Sequence, residues 1–399
     1  MRILTVCVSS NVFGAEIATL KMLEGFQQAG HEQLAVTTIW TDGEFNRRLG
    51  GLGIPEVQMP FGMLSKTLSL RPLWWTTKMV SRLPFLWRGW RRQIRDFDPD
   101  IVLFTSWRHV VAVYPLLDDR PTFLIEHSYI TPSPTRRILY RLLARKLSGF
   151  VAVSNFMARH LRELGIDPNA IHVIYNCVPS EIVDAQTATG SNPDCRLRIG
   201  IAGQISRHKG HDVLVKAAGL LQENGIDFEI VVFGSGSEEY LSELRQLVVA
   251  NALESRWKWM GYAKNPREMY LSMDICVVPS RFEEPFGLVA AEAALWGLPV
   301  VAARRGGLPE IVTDGETGFL VDSENAADLA EKIGLLAANR QQAEKMGQKG
   351  RHRVVHEFSG ERMITAYEHL FREALFSKTD HSRLGIESMK SKAKDRQDG

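Results

Sequence analysis

The sequence predicts an α/β protein with two doubly wound, Rossmann-like domains in tandem that face a cleft. Apolar runs alternate with turn-rich loops and helix-forming segments, which is the pattern of a parallel sheet with helical crossovers. The pattern lapses near residues 176–196, which are rich in Pro, Gly, Ser and Thr, and then restarts. The 399 residues are enough for two sizeable cores. Ligands of such sheets bind outside the carboxyl ends of the strands, so a site is expected in the loops that follow strands.

The first half opens with the apolar run ILTVCV, a turn-rich segment and a helix-forming segment that ends at Gly30. Buried strands are predicted at 3–8, 34–39, 100–106, 122–128 and 149–154. The second half repeats the scheme, with strands predicted at 196–203, 228–236, 274–280, 298–303 and, as a short edge strand, 318–322. The predicted domains are 1–180 and 195–360, followed by a helix at 361–376 and a polar, disordered tail at 377–399.

Composition excludes several function classes. The formal net charge is only +2, so any electrostatic attraction must be local. The four cysteines are far apart and form no C-x-x-C pair, which favours buried free thiols in a reducing compartment over a zinc site. The first apolar run is too short for a signal peptide, and no stretch approaches the roughly 20 apolar residues of a membrane span. We therefore expect a cytoplasmic protein.

Two glutamates flank a small, apolar run in EEPFGLVAAEA, residues 283–293. Glu284 would stand at the exit of a strand, and Glu292 would lie one to two turns into the following helix. Alanines and a leucine surround Glu292, so a solvated helix face is hard to draw there, and a carboxylate in that place suits the paired hydroxyls of a sugar. The plainer alternative is that the acids only favour a helix N-terminus. We favour binding for Glu284 and Glu292, and the helix-terminus role for Glu283.

Helix N-termini in two loops offer sites for an anion. In the loop GQISRHKG, Lys209 stands just before a predicted helix and Arg207 adds a second charge, an arrangement that suits a diphosphate, although a solvated lysine is the simpler alternative. In the second loop the helix is expected to begin near Phe286 or Gly287, which would leave unpaired first-turn N–H donors at Phe286, Gly287 and Leu288. In the first half, Gly14 lies where a helix should begin and would admit a ligand close to the backbone, or would serve only a turn.

Several ordered motifs resemble one enzyme family. They are FGAE near the N-terminus, EHS at 126–128, VAVSNFMARHL at 151–161, IYNCV at 174–178, GQISRHKG at 203–210, EPFGLVAAE at 284–292 and GGLPEIVTDGETGFLV at 306–321. Together they resemble the retaining glycosyltransferases of the GT-B fold, specifically glycosyltransferase family 4 (group 1). The resemblance covers nearly the whole chain.

The resemblance implies a function and roles for particular residues. The donor would be a nucleotide-diphosphate sugar held mainly by the second domain, no metal or cofactor would be needed, and the C-terminal helix would cross back to the first domain. Glu292 would bind the ribose hydroxyls, and Glu284 the transferred sugar with the backbone of 286–288. Lys209, with Arg207, would meet the diphosphate, Gly14 would let its loop close over the phosphates, and His127 would be the cleft histidine near the reaction centre.

The sequence departs from the family at one informative place. Many members carry arginine directly after the glycine that aligns with Gly203, whereas this chain has Gln204. A neutral amide cannot supply that charge, so diphosphate binding is expected to depend more on Lys209 and Arg207. A second departure, Cys177 where glycine is commoner, is a substitution for a small residue.

A basic, tryptophan-rich stretch occupies residues 71–95. It holds seven Arg or Lys, four Trp and no acid, and 136–146 is likewise basic. Both segments fall in the half that receives the acceptor in this family. They suit the inner face of an anionic membrane, which would match a glycan or lipid-linked acceptor in polysaccharide or lipopolysaccharide assembly. The alternative is a partly buried helix with solvated arginines; nucleic acid is disfavoured because no module for it is present.

Two rival functions remain open at this point. Another nucleotide-sugar enzyme of the same architecture, an epimerase or a phosphorylase, would show many of the same motifs. A non-catalytic binding module built on the fold would also keep the ligand-contacting residues but turn over no donor.

Overall fold

Two parallel β-sheets organise the chain into two compact units. We describe them from a computed structural model that covers residues 1–9, 12–40, 43–62, 80–178, 196–263 and 265–394, with side chains described as far as residue 377. Unit 1 comprises 1–153, 158–174 and the residues from 361 onward, and unit 2 comprises 154–157 and 175–360. The predicted interdomain connection falls largely on 179–195, outside the described residues.

Unit 1 holds a seven-stranded sheet whose order is β3-β2-β1-β4-β5-β6-β7. Its strands are β1 (Arg2–Val6), β2 (Glu32–Thr38), β3 (Glu56–Met59), β4 (Ile101–Phe104), β5 (Thr122–Glu126), β6 (Gly149–Ala152) and β7 (Ile171–Val173). The helices along this part of the chain are α1 (Gly14–Gln28), α2 (Glu44–Gly51), α3 (Leu83–Phe97), α4 (Trp107–Val113), α5 (Pro134–Leu143) and α6 (Asn155–Glu163). All neighbouring strands pair in parallel.

Unit 2 holds a six-stranded parallel sheet in the order β10-β9-β8-β11-β12-β13. Its strands are β8 (Leu197–Ala202), β9 (Phe228–Phe233), β10 (Trp257–Gly261), β11 (Ile275–Val278), β12 (Val300–Ala303) and β13 (Gly318–Val321). Its helices are α7 (His211–Glu223), α8 (Glu238–Ala250), α9 (Pro266–Leu271), α10 (Leu288–Leu295), α11 (Leu308–Ile311), α12 (Ala326–Ala338) and α13 (Arg340–Glu357). Both sheets are doubly wound, which confirms the predicted fold class.

The cores explain why the strands are continuous apolar runs. Parallel strands with helices on both faces bury every side chain, so they lack the alternation of a half-exposed strand. All four residues of β4, β6, β11 and β12 are buried. In unit 2 the apolar side chains of α7 and α12 pack into the same cluster as those of β8 and β9.

Three strands were missed from the sequence, and all three are edge strands: β3 and β7 in the first sheet and β10 in the second. An edge strand has one neighbour and partial cover, so it needs fewer apolar residues than an interior strand. In β10, for example, Trp257 is buried while Lys258 is exposed. The ends of the interior strands lie within three residues of the predicted ends.

The last helix, α14 (Gly360–Lys394), packs within unit 1. Tyr367 and Phe371 contact the ring of Phe26 on α1, at centroid distances of 5.4 and 5.7 Å, and Glu368 pairs with His31 at 3.1 Å. The structure differs from the disordered tail predicted from 377, because the helix continues to Lys394. This segment contains no proline and is rich in good helix formers, which allows the continuation. Of the helices in the described ranges, none has the length and apolar character needed to cross a bilayer.

Candidate functional site

The loops that follow β8 and β11 meet in unit 2. These strands are adjacent, but the chain continues from β8 to one side of the sheet and from β11 to the other, which makes this a topological switch point. The N–H of Arg281 donates to the carbonyl of His208 at 2.8 Å and ties the two loops together. Gly210 has φ +72°, and a Cβ there would lie 2.0 Å from the carbonyl oxygen of Pro279. Only glycine allows the loops to approach this closely.

The close approach brings Lys209 and Glu284 into contact, although they are 75 residues apart in the sequence. Lys209 ends a short 3-10 turn before α7, and its Nζ contacts Oε1 of Glu284. The hydroxyl of Ser280 donates to the same oxygen at 2.6 Å. The side chains are 33% and 12% exposed, so the pair is partly screened from water while the ammonium keeps an accessible side. Ser280 was not predicted, since one serine after a strand carries no specific signal.

The backbone around Glu284 is held by the glycine pair of the GGLPE motif. The N–H of Gly307 donates to the carbonyl of Glu284 at 2.7 Å. A Cβ on Gly306, which has φ +58°, would lie 2.1 Å from that carbonyl oxygen. The neighbouring Glu283 accepts hydrogen bonds from the Arg305 guanidinium at 3.0 Å and the Gly306 N–H at 2.6 Å. Glu283 therefore braces the loop, and it does not stand in the first turn of the following helix as predicted, because that helix begins only at Leu288.

The helix α10 begins at Leu288, with Gly287 as its N-cap at φ +103°. The start lies one or two residues later than predicted, because the left-handed backbone of Gly287 is not helical. Glycine suits this position, since a Cβ there would lie 2.8 Å from the side chain of Leu308. Within the part of the chain that the structure describes, no acceptor is recorded for the N–H groups of Phe286, Gly287 and Leu288. The predicted donors thus lie together, immediately after Glu284.

Glu292 stands in the second turn of α10 and is half-buried. The hydroxyl of Tyr270 on α9 donates to its Oε2 at 2.7 Å. Tyr270 is fully buried, and burial together with the nearby carboxylate raises its pKa well above the ordinary value, so the hydroxyl remains a donor. The sequence analysis missed Tyr270; its spacing from Glu292 has no pattern that would have identified it.

Arg207 is placed differently from the prediction. Its guanidinium forms a pair with Glu243 on α8 at 2.5 Å and lies over the ring of Tyr240 at 5.1 Å. The structure therefore directs this charge to α8 and does not bring it to the Lys209–Glu284 pair. The sequence gave no sign of this contact, because Glu243 and Tyr240 lie on another helix, more than 30 residues away.

The turns after β8 and β9 are also shaped by glycines. Gly203 has φ +126° and Gly234 has φ +135°, and a Cβ on Gly234 would lie 1.8 Å from the carbonyl oxygen of Gly203. The N–H of Ile205 donates to the carbonyl of Ser235 at 2.8 Å. Gln204, which replaces the arginine common in the family, is exposed in this turn.

In unit 1, Gly14 is the first residue of α1 and is exposed. Glu16 organises this helix start, because its Oε2 accepts the N–H of Phe13 at 2.9 Å and its Oε1 accepts the hydroxyl of Ser9 at 2.8 Å. Gly14 does not have a positive φ, so no unusual backbone conformation requires glycine here. What glycine provides at this position is a backbone that no side chain covers.

His127 follows the carboxyl end of β5 directly. Its Nε2 is buried and has no hydrogen-bond partner in the ranges described above. Burial lowers the pKa of His127 to about 4, so the imidazole is neutral at neutral pH. Such a ring can donate a hydrogen bond to a ligand hydroxyl or accept one from it, but it supplies no charge.

The basic, aromatic stretch is only partly as predicted. Trp90 is buried, and the half-buried Trp87 donates from Nε1 to the carbonyl of Ala112 at 2.9 Å, so both rings pack against unit 1. They turn inward because α3 lays its apolar stripe against α4 and the sheet. Residues 71–79, with Trp74 and Trp75, lie outside the described residues.

The exposed surface of α3 and α5 instead carries other apolar side chains. Phe85 is 73% exposed, Ile138 67% and Leu142 41%. The same two helices and the residues next to their ends also carry exposed arginines: Arg82, Arg88, Arg91, Arg92, Arg95, Arg137, Arg141 and Arg145. Both helices contact the C-terminal end of α4. Trp87 on α3 donates to the carbonyl of Ala112, and the hydroxyl of Tyr114, which directly follows α4, donates to the carbonyl of Leu142 on α5 at 2.8 Å. We call this face of α3 and α5 the arginine surface.

Two family models match the chain and together cover most of it. Residues 12–182 match the model described as Glycosyltransferase Family 4, and residues 188–353 match Glycosyl transferases group 1. This chain belongs to glycosyltransferase family 4, group 1. The two matches divide the family 4 protein between the two sheets described above.

Curated relatives of this family 4 protein are named for different activities. A D-inositol 3-phosphate glycosyltransferase of Pseudarthrobacter chlorophenolicus is 35% identical over 182 residues, which are 44% of this chain and 36% of that protein. An N-acetyl-alpha-D-glucosaminyl L-malate synthase of Bacillus anthracis is 26% identical over 249 residues, 61% of this chain and 64% of that protein. The matches span 36%, 34% and 42% of the lengths of the first three curated relatives.

A solved structure shares the fold over nearly the full length. The Anabaena protein Alr3699/HepE in complex with UDP superimposes with a TM-score of 0.78 at 20% identity, covering 94% of this chain and 100% of that one. The two doubly wound sheets of the family 4 protein therefore form the GT-B fold.

Proposed function

We propose that this family 4 protein is a retaining glycosyltransferase that moves a hexose from a nucleotide-diphosphate sugar to a glycan or lipid-linked acceptor. The observation that carries the proposal is the contact between Lys209 and Glu284 at the switch point of the second sheet. The contact joins a cation suited to a diphosphate with a carboxylate suited to sugar hydroxyls. The UDP bound to the Anabaena protein of the same fold supports this class of donor.

The diphosphate is received by Lys209 and by the start of α10. Lys209 is a third exposed and has a flexible side chain, so its ammonium can turn to the phosphates while Ser280 continues to hold Glu284. The N–H groups of 286–288 add donors at the positive end of a helix dipole. Arg207 is not needed for this arrangement. Because Gln204 is neutral, Lys209 is the main cation that faces the diphosphate.

The ribose is bound by Glu292. Tyr270 holds one oxygen of the carboxylate from inside the domain, so the orientation of Glu292 is set before a donor arrives. A carboxylate oriented in this way accepts hydrogen bonds from both hydroxyls of a ribose without reorganisation, which lowers the cost of binding.

The transfer step breaks the bond between the anomeric carbon and the β-phosphate oxygen, and the electron pair stays on the diphosphate. Lys209 and the N–H donors stabilise the charge that develops there. The acceptor oxygen forms the new bond on the face from which the diphosphate departs, and its proton passes to the leaving phosphate oxygen, so the anomeric configuration is retained. No metal or cofactor takes part in this proposal.

His127 contributes a hydrogen bond and not a charge. Its imidazole is neutral and its Nε2 has no partner within the described residues, so it suits a hydroxyl of the sugar near the reacting carbon. By the family resemblance, the exposed Gly14 at the start of α1 would meet the phosphates with its bare backbone.

The arginine surface supports a lipid-linked acceptor at the inner face of a membrane. Its apolar side chains Phe85, Ile138 and Leu142 stand among arginines, and α5 contains no acid. Apolar groups that enter the headgroup region and cations that meet anionic lipid act together in peripheral binding. Assembly of a cell-surface polysaccharide or lipopolysaccharide is the process that would use such an acceptor.

The donor is tested by thermal shift with UDP, GDP, ADP and their sugars, followed by turnover of the sugar that stabilises the protein most. Replacing Glu292 by Ala should reduce donor turnover by about 100-fold, because both ribose hydrogen bonds are lost. Glu331→Ala, which removes an exposed carboxylate on α12, should leave turnover unchanged. Normal turnover in E292A would contradict the proposal, and binding without any turnover would identify a non-catalytic module.

A further inference from the structure

A buried carboxylate, Glu126, lies directly beside the candidate histidine and has no place in the transfer described above. It is the last residue of β5 and is 2% exposed. Burying a carboxyl group is costly unless hydrogen bonds satisfy it, so its partners show what it does.

Two donors meet Glu126, one on each oxygen. The hydroxyl of Tyr140, which is fully buried on α5, donates to Oε2 at 2.5 Å. The N–H of Ser128 donates to Oε1 at 3.4 Å, so the side chain reaches past His127 and holds the main chain on its far side. His127 itself lies between the two bonded residues.

The other end of the same loop is held as well. The N–H of Ile130 donates to Nε2 of the buried His160 on α6 at 3.3 Å, and the ring of Tyr129 packs on that imidazole at 4.5 Å. Burial lowers the pKa of His160 to about 4, which keeps its ring neutral and able to accept. The loop is thus fixed at 128 and 130, while Nε2 of the His127 ring has no hydrogen-bond partner among the residues that the structure describes.

We propose that Glu126, braced by Tyr140, is a positioning residue for His127, and that its ionised carboxylate directs the imidazole by holding Ser128. The role rests on the proposed function, since it acts through His127. A proton taken from solvent would go to Oε1, because Oε2 already receives the Tyr140 hydrogen. Oε1 would then no longer accept the Ser128 N–H, and the main chain beside His127 would be released.

The surroundings place this change near neutral pH. Burial raises the pKa of Glu126 to about 7, while Tyr140, the Ser128 N–H and the charge of Arg108 on α4 oppose the rise. Burial and the Glu126 carboxylate raise the pKa of Tyr140, and the charges of Arg108 and of Arg136 on α5 oppose that rise. Because the ionised form holds the loop, activity should rise as pH increases through this range and fall as Glu126 takes up its proton.

The test measures kcat with a nucleotide sugar from about pH 5.5 to 9 for wild type, Glu126→Gln and Tyr140→Phe. Wild type should rise with one ionisation near pH 7. Y140F should move the midpoint up by about one pH unit, because the lost hydrogen bond favoured the ionised carboxylate. E126Q should be about tenfold slower and lack this ionisation. The matched control Tyr114→Phe, whose hydroxyl donates to the Leu142 carbonyl, should leave the midpoint in place.

A second readout does not depend on turnover. The ring resonances of His127, assigned with His127→Ala, should shift with the Glu126 midpoint in wild type, with the raised midpoint in Y140F, and not at all in E126Q. If no variant turns over a nucleotide sugar, the proposed function fails, and these resonances still decide the positioning role. The inference would be overturned if the His127 ring resonances did not shift near pH 7 in wild type. It would also be overturned if the pH dependence of kcat in E126Q kept the wild-type midpoint.

Discussion

The candidate ligand contacts are held in place by buried neighbours. Tyr270 holds Glu292, Ser280 holds Glu284, and Glu126 holds the chain beside His127. Each of these bonds joins two groups of the protein, so the fold itself orients the side chains that would meet a donor. Because these side chains are already ordered by folding, less conformational entropy is lost when the donor binds.

Replacing Tyr270 by Phe tests this point in unit 2. The change removes the hydroxyl that donates to Glu292 and keeps the buried ring, so the domain should fold. We expect the donor dissociation constant to rise about fivefold to tenfold, because losing one hydrogen bond reduces the binding free energy by about 1 kcal/mol. Isothermal titration with the preferred nucleotide measures the effect.

Tyr114→Phe, which removes a hydroxyl from unit 1, serves as the control and should leave donor affinity unchanged. If Y270F and wild type bound the donor with equal affinity, the Tyr270 hydrogen bond would not be needed to orient Glu292, or Glu292 would not bind the donor.

The sequence identified residues whose chemistry is visible locally and missed those defined by distant partners. Glu292 was recognisable because alanines surround it, and Lys209 because it precedes a helix. Tyr270 and Tyr140 are ordinary apolar-face tyrosines in sequence, and only the packing of another helix supplies their carboxylate partners. For Arg207 the charge was recognised, but its partner Glu243 was not.

At the scale of elements, the site depends on loops that touch through their backbones. The β8 and β11 loops approach at Gly210, and the β12 loop approaches the Glu284 backbone at Gly306. A side chain at either position would collide with a carbonyl oxygen, so the contact between Lys209 and Glu284 depends on glycines that hold no ligand themselves.

Two glycine substitutions separate conformational strain from this steric role. Gly210 and Gly225 have nearly the same backbone angle, with φ of +72° and +71°, but a Cβ meets Pro279 at 2.0 Å in the first and nothing within 4 Å in the second. Gly225→Ala should cost about 1 kcal/mol of unfolding free energy and keep full turnover. Gly210→Ala should cost about 3 kcal/mol or more and abolish most turnover, because the loops must separate.

Denaturant unfolding and donor turnover, measured on both variants, provide the comparison. Similar losses in the two would indicate that strain alone matters and that the close approach of the loops does not position Lys209.

The elements themselves were predicted with uneven success for a physical reason. Interior strands are buried on both faces and stand out as apolar runs, as β4, β11 and β12 do. Edge strands such as β10 need only part of that burial and are hard to distinguish from loops. The start of α10 depends on the left-handed conformation of Gly287, which the sequence pattern alone does not indicate.

At the scale of the whole molecule, charge is distributed unevenly although the net charge is only +2. The arginine surface concentrates cations with exposed apolar side chains on α3 and α5. The tryptophans that first suggested a membrane are packed inward, at Trp87 and Trp90, so the membrane proposal now depends on Phe85, Ile138 and the arginines.

Flotation with liposomes tests this surface. Wild type should float with vesicles that contain anionic lipid, less so at high salt, and not with neutral vesicles. The double change Arg88→Glu and Arg91→Glu should reduce binding by more than about tenfold, since each cation near an anionic surface is worth about 1 kcal/mol.

The matched control Arg196→Glu and Arg245→Glu reverses two exposed arginines of unit 2 and should bind like wild type. Equal flotation of the two double variants would assign the binding to net charge and remove the arginine surface from the proposal.

The sequence alone determined the fold class, the positions of the interior strands and the family, because these follow from runs and motifs of neighbouring residues. It also indicated Lys209, Glu284 and Glu292, whose residue types and local settings suit a sugar nucleotide. Only the tertiary structure decided that Lys209 contacts Glu284, that Arg207 turns to Glu243, and that Tyr270 and Glu126 hold the groups beside them. Those contacts join residues on different elements, and their geometry is set by how the sheet brings its loops together.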